Sequence, residues 1–239
     1  MQYTLIINFS SDTVEELNKG NYSLCCFLAY TSPNSSQAEP LCWGVTKNFL
    51  NSVLIQWNDT LFAYISTSPI TENQVIYIPE LASSLPDSKT TAGTITEIKL
   101  KQRMVIQNYG VITIDTKNDA ENVLIQNNSV NPYSSGICVC DASDDLYYGI
   151  AVFSTFGGHN IQIAPDNKAF LMFSSKNVKN NTVISISENP GILIDFNTSV
   201  NNSRTVWYDI NTGWSSDDSS WGITYPSGTN LNDLLGSTV

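Results

Sequence analysis

Residue types that do chemistry are sparse in this chain. His159 is its one histidine, set in Gly157-Gly158-His159-Asn160. A serine triad needs a histidine between a nucleophile and a carboxylate. No Gly-x-Ser-x-Gly elbow marks such a nucleophile, and the flanking glycines read as a turn. Cys138 and Cys140 are formal partners for His159 in thiol chemistry, but an apolar strand leaves a thiol protonated and inert. Asp144-Asp145 and Asp217-Asp218 are the acidic pairs on which a glycosidase or a calcium site would be built. Both stand in turn-like, Ser-containing stretches, where Asp serves backbone hydrogen bonding. No EF-hand loop, glycine-rich calcium repeat, phosphate loop or dinucleotide fingerprint occurs. The expectation is a non-enzymatic protein with no metal and no cofactor.

The segment 205–227 is the most unusual stretch. It holds Trp207, Tyr208, Trp214, Trp221 and Tyr225 among turn-forming residues that include Asp217 and Asp218. Aromatics beside Asp, Asn and Gly suit a sugar site, where a ring face covers the C–H patch of a saccharide and polar groups bond its hydroxyls. The same rings suit a lid on the core or an interface with a neighbouring subunit. Trp207, Trp214, Trp221, Asp217, Asp218 and Tyr225 are therefore the candidate ligand-binding residues.

Composition narrows the partners. The net charge is −11, from 11 basic and 22 acidic residues, which repels nucleic acid and anionic lipid. Lys99, Lys101 and Arg103 form the densest basic run, and strand alternation predicts one solvated face for them. Only 14% of residues are charged, against about 25% in typical domains, so Asn, Ser and Thr must supply most polar surface. The N-terminal run has no basic leader, long apolar core or cleavage site, and no apolar stretch is long enough to span a membrane as a helix. A cytoplasmic protein is expected, with release by a non-classical route open. Five cysteines, an odd number, read as buried thiols or as intermolecular disulfides.

Strands must position these residues. β-branched and aromatic runs at 1–9, 22–30, 53–57, 61–66, 74–78, 94–98, 104–107, 111–115 and 123–125 are separated by turn residues. Similar runs follow at 136–140, 149–153, 161–163, 170–173, 182–187 and 192–196. Asn58-Asp59-Thr60 predicts a hairpin turn, and 80–92 reads as a long loop. Helix signals are confined to 13–19 and 230–235. Leu61-Phe62-Ala63-Tyr64-Ile65-Ser66 and Phe170-Leu171-Met172-Phe173-Ser174-Ser175 share a rhythm, which is either a duplication or two similar hairpins. The expected fold is all-β: a β-sandwich body over 1–204, with or without two similar halves, and an aromatic-rich C-terminal arm or lid over 205–239.

Two blocks carry a family likeness. The first is Leu41-Cys42-Trp43-Gly44-Val45-Thr46-Lys47, then Ser52-Val53-Leu54-Ile55-Gln56-Trp57 and Leu61-Phe62-Ala63-Tyr64. The second is Gly149-Ile150-Ala151-Val152, Pro165-Asp166-Asn167, Phe170-Leu171-Met172-Phe173 and Asn181-Thr182-Val183-Ile184. Their order over 1–195 resembles the RhiA family, the rhizosphere-expressed proteins of nodulating bacteria and their bacterial and fungal relatives. The chain departs from that pattern in a longer middle near 79–103 and in fewer glycines after Gly149. The resemblance implies a cytoplasmically made β protein and supplies no catalytic residues. The leading expectation is a structural or self-assembling protein whose partner is itself, as filament, crystal or inclusion, because uncharged strand edges pair readily. The alternative is a carbohydrate-binding lectin, defensive or toxin-like.

Overall fold

The β-branched and aromatic runs form strands over 53% of the chain, with few helices, so the all-β expectation holds. The computed structural model describes residues 1–79, 93–143 and 146–238. The expected loop at 80–92 and the pair Asp144-Asp145 lie outside those residues. The elements in chain order are β1 (Gln2–Phe9), α1 (Ser11–Lys19), β2 (Ser23–Thr31), β3 (Ala38–Cys42), β4 (Gly44–Thr46), β5 (Ser52–Ser66), β6 (Gly93–Ile98) and β7 (Arg103–Ile106). Next come β8 (Ile112–Asp115), β9 (Val123–Asn127), β10 (Tyr133–Asp141), β11 (Tyr147–Gly149), β12 (Ala151–Thr155) and β13 (Asn160–Ser174). The chain closes with β14 (Thr182–Val183), β15 (Gly191–Asp195), β16 (Ser203–Asp209), β17 (Gly213–Ser216), β18 (Gly222–Tyr225), α2 (Leu231–Leu235) and β19 (Gly236–Ser237).

Two curled sheets pack together. The first runs β14-β3-β12-β10-β5-β1-β16-β17, with β11 on β10 and β6 on β5. The second runs β18-β15-β13-β9-β7-β8, with β2 on β13, and β4 and β19 on β2. Alternation in β1 sends Tyr3, Leu5, Ile7 and Phe9 inward. Burying each such aliphatic side chain contributes about 1.5–3 kcal/mol before entropy is charged against it. The apolar run of β2 is buried on both faces, as an unbroken hydrophobic strand must be. The last six residues of β5 are buried likewise. Leu61, Ala63 and Ile65 join the main core. Phe62 and Tyr64 face outward into a second cluster with Leu41, Ile76, Val152 and Val183.

Several local expectations are corrected. Asn58-Asp59-Thr60 makes no hairpin. β5 continues through it, because the start of β1 satisfies these polar residues: Gln2 pairs with Asn58, the Asp59 N–H donates to Met1 O at 3.0 Å, and the Met1 ammonium pairs with the Asp59 carboxylate. The runs at 161–163 and 170–173 are likewise one strand, β13, which absorbs Pro165-Asp166-Asn167 as a register shift against β2. The matching rhythm thus marks the buried ends of two strands of 15 residues each, one in each sheet. The run at 74–78 is no strand. It lies over the second cluster and makes one bridge, Val75 to Thr182. Lys99 and Lys101 do not share a strand face with Arg103. Lys101 sits in a turn at φ 67, and Arg103 forks onto Asp115 at 3.1 and 2.6 Å. The first helix starts at Ser11, two residues early, because the Ser10 hydroxyl caps it by accepting the Thr13 N–H at 3.3 Å.

Candidate functional site

The aromatic segment is woven into both sheets. β16 lies parallel to β1 and antiparallel to β17, and β18 pairs with β15 in the other sheet. β16 begins at Ser203, so position 205 falls inside a strand. Strand alternation then sorts the rings. Val206 and Tyr208 face inward and Trp207, 41% exposed, faces out. Tyr208 sits directly opposite Trp214 in the ladder.

These inward rings form one wall of a half-open cleft of about 640 Å³. Trp214 stacks on Phe173 at 5.4 Å and 18°. Tyr208 tilts against both, at 4.8 Å from Trp214 and 4.4 Å from Phe173. The indole N–H of Trp214 donates to Pro190 O at 3.2 Å, which fixes the buried ring in the cleft wall. Burial, then the neighbouring Tyr22 and Asp209, raise the Tyr208 phenol above its ordinary value, so it stays a neutral hydroxyl. Tyr22, Ile210, Tyr225 and Pro226 extend the apolar lining. Asn211, Thr212 and Thr224 stand exposed on it. Among the described residues no charged side chain lines the cleft.

The rim is built by Asp209. Its Oδ1 accepts the N–H groups of Asn211 and Thr212 at 2.9 and 3.2 Å, the Asx arrangement that closes a tight turn. Its Oδ2 lies 3.3 Å from the Ser10 hydroxyl and 3.4 Å from the Thr13 hydroxyl. Thr13 Oγ1 in turn accepts the Ile210 N–H at 3.1 Å. The first turn of α1 therefore anchors the β16–β17 turn. Gly213 ends that turn at φ +84, a region that only glycine enters freely. The backbone donors, above all Asn211, hold the Asp209 carboxyl below its ordinary pKa.

The other candidates go elsewhere. Of the six, Trp214 and Tyr225 line the cleft and Trp207, Trp221, Asp217 and Asp218 do not. Trp221 is buried, with the Arg204 guanidinium 4.5 Å above its ring. Asp218 accepts the Ser220 N–H at 2.7 Å, and that bond holds its carboxyl below the ordinary value. It is a turn residue. Sequence reasoning left out Tyr208, which period-2 alternation could have paired with Trp214. It also left out Tyr22 and Phe173, for which the local sequence carries no signal.

The remaining chemistry-bearing residues are quiet. All five cysteines are buried. Desolvation pushes the Cys26, Cys42 and Cys138 thiols well up. His159 sits in a turn, its N–H donating to Phe156 O at 3.0 Å. Among the described residues no group of three or more His, Cys, Asp or Glu could hold a metal ion, and no helix is long and apolar enough to cross a membrane. Compared with known proteins, the chain matches no family model, no curated protein and no solved structure.

Proposed function

We propose that this chain is a non-catalytic carbohydrate-binding protein and that the cleft beside Trp214 takes a neutral saccharide. The observation that carries this reading is the pairing of an aromatic wall with polar lining side chains that carry no charge. The half-buried rings of Tyr208, Tyr22 and Tyr225, held from behind by the buried Phe173–Trp214 stack, offer apolar surface to sugar C–H groups, and Asn211, Thr212 and Thr224 offer amide and hydroxyl groups to sugar oxygens. A volume of about 640 Å³ falls in the ordinary range for ligand pockets, about 300–1,000 Å³. With no charge on the lining, an anionic sugar gains nothing there. The resemblance to the RhiA proteins rests on segment order alone and brings no ligand with it.

The test is a glycan array. The wild-type chain is expected to bind a subset of neutral glycans. The triple variant N211A/T212A/T224A, folded by circular dichroism, is expected to lose at least about tenfold in affinity, or 1.4 kcal/mol. A clean array from folded wild-type protein refutes the reading. The self-assembly reading draws on a different region, the uncharged end of the sandwich.

A further inference from the structure

We infer that the loop end of the sandwich built by residues 107–111, 127–133 and 155–159 is a docking surface for a second copy of this chain. Three loops are stitched together there. The Val130 N–H donates to Asn108 Oδ1 at 3.4 Å, the Asn128 N–H to Ile106 O at 2.8 Å, and the Gly158 N–H to Asn127 O at 2.7 Å. The assembled end presents large apolar side chains to solvent: Tyr109 at 93% exposure, Val130 at 86%, Val111 at 57% and Phe156 at 54%. Singly exposed apolar residues need no explanation, but a cluster drawn from three loops does.

Charge selects the occupant. In a chain of net charge −11, the segments 60–71, 104–114, 122–140 and 146–165 contain no Asp, Glu, Lys or Arg. Those segments are the loops at this end and the strands that feed them. Two copies of an acidic protein repel each other through most approaches, and among the described residues the three loops of this end offer an approach with no Asp, Glu, Lys or Arg to desolvate. Shape points the same way. Beside the exposed Val130 and Tyr109 lies a groove of about 230 Å³ lined by Pro69, Ile70, Pro132, Tyr133 and Phe156. One end thus carries both projecting side chains and a recess, the self-complementarity that a two-fold interface requires. A lipid surface would use the projecting residues and leave the groove idle.

Sedimentation velocity across a micromolar-to-millimolar concentration range tests this. The expected result is a monomer–dimer equilibrium that tightens in about 1 M NaCl, where the Debye length falls to about 3 Å and self-repulsion is screened. Val130→Asp and Tyr109→Asp, each confirmed folded by circular dichroism, are each expected to weaken dimerisation at least about tenfold. Val200→Asp, which replaces an apolar residue 80% exposed on another surface, is expected to leave it unchanged. A wild-type monomer at all concentrations in high salt overturns the proposal. So does a dimer that ignores both loop variants. So does a monomer that floats with phosphatidylcholine vesicles and loses that property on V130D, since the occupant is then lipid. None of these outcomes bears on saccharide binding at the cleft.

Discussion

Neighbouring tryptophans of the C-terminal segment have opposite structural roles. Trp214 is buried on Phe173 and Tyr208, whereas Trp207 lies on the outward face of the same sheet. Trp214→Ala is expected to destabilise the fold by about 3–5 kcal/mol, the usual cost of emptying a large aromatic site. Trp207→Ala is expected to stay within about 0.5 kcal/mol. Urea unfolding of both variants measures the difference, and equal effects would mean the alternation is misplaced. Asp209 acts by positioning. A carboxyl whose folded pKa lies below its unfolded value adds stability above the unfolded value and loses it as the pH falls through the folded one. Asp209→Asn should therefore lower stability at neutral pH and flatten the acid limb of a pH–stability profile below about pH 4. It should also weaken any ligand of the cleft, because Asn211 and Thr212 hang on that carboxylate.

At the scale of elements, the decisive strand is β16. It covers the side of β1 not paired with β5, so its loss opens the ladder beside Leu5 and Ile7. Truncation after residue 204 is expected to yield an unfolded or aggregated chain rather than a trimmed sandwich. Hydrogen exchange on the intact protein offers the gentler check, with β1 and β16 protected to a similar degree. The alternating pattern of β1 and the apolar run of β2 were legible in the sequence, since each strand's burial depends on its own residues. Asn58-Asp59-Thr60 was not, because what keeps it extended is its pairing with the start of β1, 58 residues away in sequence. The cleft was half legible. Aromatic density pointed to Trp214 and Tyr225, but it also drew in Trp221, which serves Arg204, and Trp207, which period 2 turns outward. Tyr22 reaches the cleft from the approach to β2 and Phe173 from β13, and no local pattern announces a contact made by sheet packing.

The whole molecule is held by one main core. Leu5 and Phe27 from the N-terminal part, Ile137 and Phe170 from the middle, and Trp214, Trp221, Leu231 and Leu235 from the end belong to a single buried cluster. Thermal or urea unfolding is therefore expected to be one transition, coincident by tryptophan fluorescence and far-ultraviolet circular dichroism. An early fluorescence transition alone would mean that the C-terminal strands detach by themselves. The cleft opens against this core through Phe173 and Trp214, and the saccharide proposed for it can be tested there. The most direct test follows the indole N–H resonances of the five tryptophans by NMR while neutral oligosaccharides are titrated in. The Trp214 resonance, set by its bond to Pro190 O at the cleft wall, should shift saturably, while that of Trp43, buried against Val139 O, stays fixed. If no saccharide moves Trp214, or if exposed Trp207 shifts in its place, the account of the cleft is contradicted.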